Sequence, residues 1–257
     1  MRVALVQMDI VWSSPAENIK TVERLTHGCD ADLYVLPEMW ATGYSPHPED
    51  VAERESESMA LAWMKEFARK RQCAVCGSLA VADADGEETA SAQTQYRNRF
   101  YFVTPEGIAH YDKHHLFTFA HEDESYKRGD NHVTVCFGGM RFLLMVCYDL
   151  RFPLWSRWGR AGEYDAIIYV ANWPVKRQTA WDTLLKARAI ENQCYVVAVN
   201  RVGKEHKSIF AGGSVVIDPL GTTISACEDG ESVCLADIDS TVVTEQREKF
   251  PVLRDAD

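Results

Sequence analysis

The chain predicts an α/β protein in which sheets of mixed strand direction lie between helical layers, and three observations carry that reading. Short apolar runs alternate with amphipathic helical stretches along the first 72 residues. Two runs, Leu33-Tyr34-Val35-Leu36 and Ala166-Ile167-Ile168-Tyr169-Val170, are apolar without a break, as strands covered on both faces are. From Cys73 onward many strand signals follow, several joined by tight turns.

Taken in order, Arg2 to Gln7 is a short apolar strand. Ser14-Pro15-Ala16-Glu17 then supplies an N-cap, a first-turn proline and a capping-box glutamate. The helix it opens buries Ile19, Val22 and Leu25 and stops near His27-Gly28. Leu33 to Leu36 is the next strand, ended by Pro37 just before Glu38. A second helix runs from Ser58 to Arg71 with Leu61, Met64, Phe67 and Ala68 on one stripe. Cys73 to Val81, Gln95 to Val103 and Ile108 to Lys113 read as strands, joined by Asp83-Ala84-Asp85-Gly86 and Thr104-Pro105-Glu106-Gly107. His114 to Asn131 is polar and loop-like. Val133 to Phe137 and Arg141 to Val146 flank Gly138-Gly139 as a hairpin. Ala166 to Val170 is a strand, Thr179 to Gln193 a helix, and Tyr195 to Asn200 a strand. Gly213 to Ile217, the turn Asp218-Pro219-Leu220-Gly221, Thr222 to Ala226 and Val233 to Ile238 finish the sheet.

Composition narrows the function classes. A chain of 257 residues can bury a large core and suits one α/β domain spanning residues 1–257. The net charge of -11 and the absence of a Lys/Arg block argue against nucleic acid as a partner. The opening apolar stretch is broken by Gln7 and Asp9 before a signal-peptide core could form, and no apolar run approaches the ~20 residues of a membrane helix. A soluble cytoplasmic protein is expected. The 8 cysteines are scattered and fit reduced thiols better than a disulfide framework. Cys73 and Cys76 invite a redox or zinc reading, but in a strand positions i and i+3 face opposite ways, and a single such pair is weak evidence for zinc.

One cysteine stands apart. Cys147 follows the apolar run Phe142-Leu143-Leu144-Met145-Val146 and precedes Tyr148-Asp149-Leu150-Arg151-Phe152-Pro153, a strand-to-helix elbow of the kind that presents a nucleophile. Glu38 follows a buried strand through Pro37 and Lys113 ends the strand Ile108-Ala109-His110-Tyr111-Asp112, and ligand sites in α/β sheets gather at such carboxyl ends. The competing reading is two edge charges and a core thiol. His110, His114, His115 and His121 crowd one region, yet neighbouring histidines at a strand end point apart and Lys113 repels a cation, so no metal is expected. Gly-x-Ser-x-Gly, P-loop and dinucleotide fingerprints are absent, and no cofactor is expected.

Leu36-Pro37-Glu38-Met39, Tyr111-Asp112-Lys113-His114-His115-Leu116-Phe117 and Cys147-Tyr148-Asp149-Leu150-Arg151-Phe152-Pro153 together resemble the three motifs of the nitrilase, or carbon-nitrogen hydrolase, superfamily. The resemblance runs from the strand with Gln7 to Arg188-Ala189-Ile190-Glu191-Asn192 and Gly213-Ser214. Asn172-Trp173-Pro174 and the short loop from His115 to Tyr126 look most like bacterial omega-amidases, which hydrolyse the distal amide of alpha-keto acid amides such as 2-oxoglutaramate and 2-oxosuccinamate. N-carbamoyl amino acid hydrolysis and nitrile hydrolysis are the nearest alternatives, and a thiol-sensing or binding module is the non-enzyme one.

The resemblance implies a four-layer αββα sandwich. It makes Cys147 the nucleophile, Glu38 the base, and Lys113 with the Tyr148 backbone N–H the oxyanion stabilisers. A fourth acidic residue aligns with Glu122, although Asp123 and Glu124 compete for that register. A homodimer with the late helix near the subunit contact is also implied. From the residues themselves, Tyr44, Phe117 and Trp173 are candidate pocket walls, and Arg177 is a candidate partner for a substrate carboxylate. Arg151 is a second candidate, although Asp149 and Arg151 read better as a structural ion pair. A free thiol near ~8.5 and a free Glu near ~4.3 leave about 4 units against proton transfer. Burial of Glu38 and the Lys113 charge should narrow that gap.

Overall fold

A computed structural model of the chain describes residues 1–83, 94–205 and 207–255. The expected turn at Asp83-Ala84-Asp85-Gly86 lies outside the described residues beyond Asp83. The first half contributes β1 (Arg2–Gln7), α1 (Pro15–Leu25), β2 (Leu33–Val35), α2 (Met59–Arg71), β3 (Ala74–Asp83), β4 (Gln95–Val103), β5 (Ile108–Asp112) and the short α3 (Glu122–Ser125). The second contributes β6 (Thr134–Phe137), β7 (Met140–Val146), β8 (Ala166–Ala171), α4 (Gln178–Asn192), β9 (Tyr195–Asn200), β10 (Val202–Glu205), β11 (Ser208–Ala211), β12 (Val215–Ile217), β13 (Thr223–Ala226), β14 (Ser232–Asp237) and α5 (Ser240–Lys249).

Two six-stranded sheets form, ordered β14-β1-β2-β3-β4-β5 and β13-β12-β9-β8-β7-β6. Both mix directions: β1, β2 and β3 run parallel, as do β7, β8 and β9, while the outer strands are antiparallel. The two-residue side-chain period sends alternate residues of each strand to opposite faces. Val3, Leu5, Val35 and Phe102 of one sheet therefore meet Phe142, Leu144, Ile168 and Val197 of the other in a shared core. Ala4, Val6 and Tyr34 pack outward against Val22 of α1 and Leu61, Met64 and Phe67 of α2. Leu143, Met145, Ile167 and Tyr169 pack outward against Trp181, Leu185 and Ala189 of α4. The layers are helix, sheet, sheet, helix, and the breakless apolar strands are those buried on both faces. Cys73 and Cys76 fall into different cores, so this pair is split by the strand.

Some local expectations change. Ser14 makes no side-chain cap, and Glu17 pairs with Lys20 at 2.8 Å, so the capping box at the start of α1 is not formed. Ser58 does cap α2, accepting from the Leu61 N–H at 3.2 Å. The Gly138-Gly139 hairpin forms with both glycines at positive φ, +53° and +80°, as a two-residue turn of this hand requires. The loop from His114 to Asn131 contains a 3-10 turn, Thr118–Ala120, and α3. The elbow after β7 is a 3-10 turn over Cys147–Arg151, with Pro153 beyond its end; proline opens no α-helix there. The small β10-β11 sheet and α5 add to the strands and helices read from sequence. No helix among the described residues is long and apolar enough to cross a membrane.

Candidate active site

Three strand ends converge. Glu38 follows β2, Lys113 follows β5 and Cys147 follows β7, and all three line one cavity of about 200 Å³. Glu38 and Lys113 are each only 1 % exposed. Lys113 Nζ donates to Glu38 Oε1 at 2.9 Å and to Glu122 Oε1 and Oε2 at 3.0 and 2.9 Å. Asn98 of β4 braces both carboxylates, its Nδ2 donating to Glu38 Oε1 at 2.8 Å and Glu122 Oε1 at 3.2 Å. Glu38 Oε2 accepts from the Asn172 N–H at 2.8 Å. Every buried carboxylate oxygen thus has a donor, which is what makes burial of the cluster tolerable.

The register among Glu122, Asp123 and Glu124 is resolved by the turn before them. His121 adopts a left-handed φ of +58°, which sends Glu122 inward to full burial. Its Oε2 also accepts from the Phe117 N–H at 2.6 Å. Asp123 stays exposed, and Glu124 takes the His121 ring at 2.8 Å on the surface.

Cys147 itself has φ +43°, a left-handed conformation that costs a non-glycine residue about 1–3 kcal/mol and persists only where its surroundings enforce it. Asp149 does the enforcing. Its Oδ2 accepts from the Val146 N–H at 3.0 Å and the Tyr111 hydroxyl at 2.8 Å, and its Oδ1 accepts from the His115 N–H at 3.0 Å and meets His115 Nδ1 at 2.9 Å. Asp149 is structural as expected, but Arg151 is not its partner. The Arg151 guanidinium lies 4.9 Å over the Trp173 ring and lines the cavity. The histidines also depart from expectation, because the rings of His114 and His115 meet edge to face at 4.6 Å and stack on Trp155 and Phe152 respectively. Among the described residues no three His, Cys, Asp or Glu side chains gather as a metal site.

Electrostatics separate the members of the cluster. Burial works against the Lys113 charge, but Glu122 and Glu38 outweigh it and hold its value well above that of a free lysine. Burial pushes Glu122 up, with Lys113 pulling the other way. The Cys147 thiol is held well above its ordinary value, first by burial and then by the Glu38 carboxylate, which lies within hydrogen-bonding reach of it. Lys113 favours the thiolate, as expected, but is outweighed by burial and Glu38.

The remaining wall is largely apolar. Tyr44, Phe117, Tyr148, Trp173 and Phe210 line the cavity, with Arg177 set 5.1 Å over the Phe117 ring. All four substrate-contact candidates, Tyr44, Phe117, Trp173 and Arg177, therefore share one space with Glu38, Lys113 and Cys147, while Glu122 lies behind Lys113 outside the lining. Neither Arg151 nor Arg177 has a carboxylate partner among the described residues. Glu205 also lines the cavity, with its charge met by Arg201 at 2.5 Å. The Tyr44 hydroxyl and both polar atoms of the Asn172 side chain are buried without a hydrogen-bond partner among the described residues. Asn98 and Phe210 had no motif to mark them, and Asn172 was marked only as part of Asn172-Trp173-Pro174, since an amide in or after a strand looks like any other polar residue.

The chain matches the carbon-nitrogen hydrolase family over residues 2–248. It is 38% identical over 261 residues to the omega-amidase YafV of Escherichia coli K12, with 100% of this chain and 97% of that protein covered. It is 34% identical over 258 residues to a 2-oxoglutaramate amidase of Bacillus subtilis, with 98% and 96% covered. Among solved structures, a CN-hydrolase superfamily protein of Xanthomonas campestris carrying an arsenic adduct in its active site shares the fold at a TM-score of 0.91 and 36% identity, over 100% of this chain and 97% of that one. With matches of this length and identity, and with the αββα layers in place, the chain belongs to the carbon-nitrogen hydrolase family.

Proposed function

We propose that the protein is an omega-amidase that releases ammonia from the distal carboxamide of a small alpha-keto acid, with 2-oxoglutaramate and 2-oxosuccinamate as the leading substrates. The observation that carries this is one small cavity holding a thiol beside a buried Glu-Lys-Glu cluster together with two guanidiniums that have no carboxylate partner among the described residues. Omega-amidase and 2-oxoglutaramate amidase relatives over the full length of the chain support it.

In this reading Cys147 Sγ attacks the amide carbonyl while Glu38 takes the thiol proton and then delivers it to the departing amine, which leaves as ammonia. Water hydrolyses the thioester with Glu38 as base, and the proton returns to sulfur. Lys113 spends its three donors on carboxylates, so its contribution to the oxyanion is chiefly its charge at short range. The Tyr148 N–H lies in the first turn of the 3-10 segment, where backbone donors have no partner within the helix, and it supplies a directed hydrogen bond. Glu122 is a positioning residue that fixes Lys113. Arg151 and Arg177 hold the substrate carboxylate, and the Tyr44 hydroxyl and the Asn172 side-chain amide, without partners among the described residues, offer hydrogen bonds to the 2-oxo group. The same reading includes a homodimer with α4, which leaves Ile190 exposed, near the contact, and residence in the cytoplasm.

The test is ammonia release from a panel of omega-keto amides, glutamine, N-carbamoyl amino acids and nitriles. Turnover of the keto amides above the rest is expected, with Cys147→Ala folded and inactive. Turnover confined to carbamoyl compounds or nitriles replaces the substrate assignment, and activity surviving in Cys147→Ala removes the nucleophile.

A further inference from the structure

Away from the cavity, two thiols meet where the chain crosses from one sheet to the other. Cys227 follows β13, the edge strand of the second sheet, and Cys234 lies in β14, the edge strand of the first, where it pairs across from Leu5. Their sulfurs are 2.9 Å apart, about 0.9 Å beyond the ~2.05 Å of a covalent S–S bond. No other cysteine sulfurs are in contact among the described residues. Both residues are half-buried at the rim of the core shared by the sheets, which leaves them open to a small solute. The segment between them is held in place: Gln7 Nε2 donates to the Glu228 and Gly230 carbonyls at 2.8 Å each, and the Cys227 N–H donates to the Ser214 carbonyl at 3.0 Å.

The geometry points to Cys227 and Cys234 as a dithiol that closes reversibly to a disulfide on exposure to peroxide and so cross-links the edges of the two sheets. The Cys227 S–H donates to the Cys234 sulfur, and either sulfur can react first once it ionises. That thiolate attacks one peroxide oxygen, the O–O bond breaks, and hydroxide leaves and is protonated to water; the attacking cysteine has lost two electrons and is a sulfenic acid. The other thiol then attacks that sulfur, the S–S bond forms, the S–O bond breaks, and the second thiol's proton leaves with the hydroxide as a second water. Two thiols and one peroxide become one disulfide and two waters. The second step is intramolecular between groups already in contact, so it outruns further oxidation of the sulfenic acid.

Tryptic peptide 208–247 contains Cys227 and Cys234 and no other cysteine, which makes the reaction readable by mass. Reduced full-length protein would be treated with hydrogen peroxide, alkylated with iodoacetamide and digested without reductant. The expected result is peptide 208–247 unalkylated and lighter by two hydrogens, with dithiothreitol restoring two alkylation sites. Cys234→Ser and Cys227→Ser should each stop at a sulfenic acid on the remaining cysteine that dimedone traps. Full alkylation of both cysteines in the treated wild-type protein, or a dimedone adduct accumulating on either wild-type cysteine, would overturn the proposal. The wild-type arms decide it even if a variant does not fold.

Discussion

At Cys147 burial holds the thiol above its ordinary value, and of its two charged neighbours Glu38 pushes it further up while Lys113 pulls it down. Removing the Glu38 charge therefore separates two properties that usually fall together. Glu38→Gln is expected to lower ammonia release by about 10²–10⁴, the usual worth of a general base. Its Cys147 should nevertheless alkylate faster at neutral pH than the wild-type thiol, because each unit by which the value drops raises the thiolate fraction about tenfold. Iodoacetamide rates across a pH series check this. In the wild type the rate should climb through neutral pH without a plateau, and in the variant the rise should begin at lower pH; identical profiles would mean that Glu38 does not control the thiol. That Glu38, Lys113 and Cys147 share one cavity was legible in the sequence because each ends a strand within an ordered motif. Glu122 was legible only to within three consecutive acids, since the left-handed turn at His121 that selects it leaves no periodic trace. The partners of Asp149 were misread because proximity in sequence favoured Arg151, whereas its donors come from β5, the loop after it and the end of β7.

Among the elements, the two Ser residues placed at helix starts behave differently. Ser58→Ala removes a formed cap on α2 and should cost about 1 kcal/mol of unfolding free energy with kcat unchanged. Ser14→Ala removes no side-chain cap from α1 and should stay within about 0.5 kcal/mol of wild type. Urea unfolding of both variants measures the contrast, and equal losses would contradict the assignment of the caps. The long strands and α2 were legible because burial imposes a period of two or of 3.6 on their sequences. The β10-β11 pair was missed because Gly203, Lys204 and Glu205 break any alternation, and the pair is held by backbone ladder bonds. Helix α5 was missed because Val243 is its one buried residue, so no apolar stripe marks it.

At the scale of the molecule, a run of buried amides couples the two sheets to the cavity. Gln7 of β1 accepts from the Ser214 N–H at 3.1 Å, the Ser214 hydroxyl engages Asn200 of β9, and Asn200 Oδ1 accepts from the Trp173 N–H at 2.7 Å. Gly212, at φ +76°, packs so closely on Gln7 that a Cβ there would overlap the side-chain amide. Gly212→Ala is therefore expected to destabilise the fold by roughly 2 kcal/mol or more, through backbone strain and the displaced amide. Because Trp173 walls the cavity, KM should rise as well, read from keto-amide kinetics beside urea unfolding. A neutral outcome in both would mean that the run of amides is not rigid. The cavity also has a polarity that bears on turnover. Its buried floor sets two carboxylates against one ammonium, while the half-exposed Arg151 and Arg177 bring positive charge nearer solvent. An uncharged amide can settle on that floor, but hydrolysis replaces it with a carboxylate facing a surplus of like charge. The reaction thus makes its own product a poor tenant, and the dicarboxylate should inhibit only at concentrations well above those at which the amide binds.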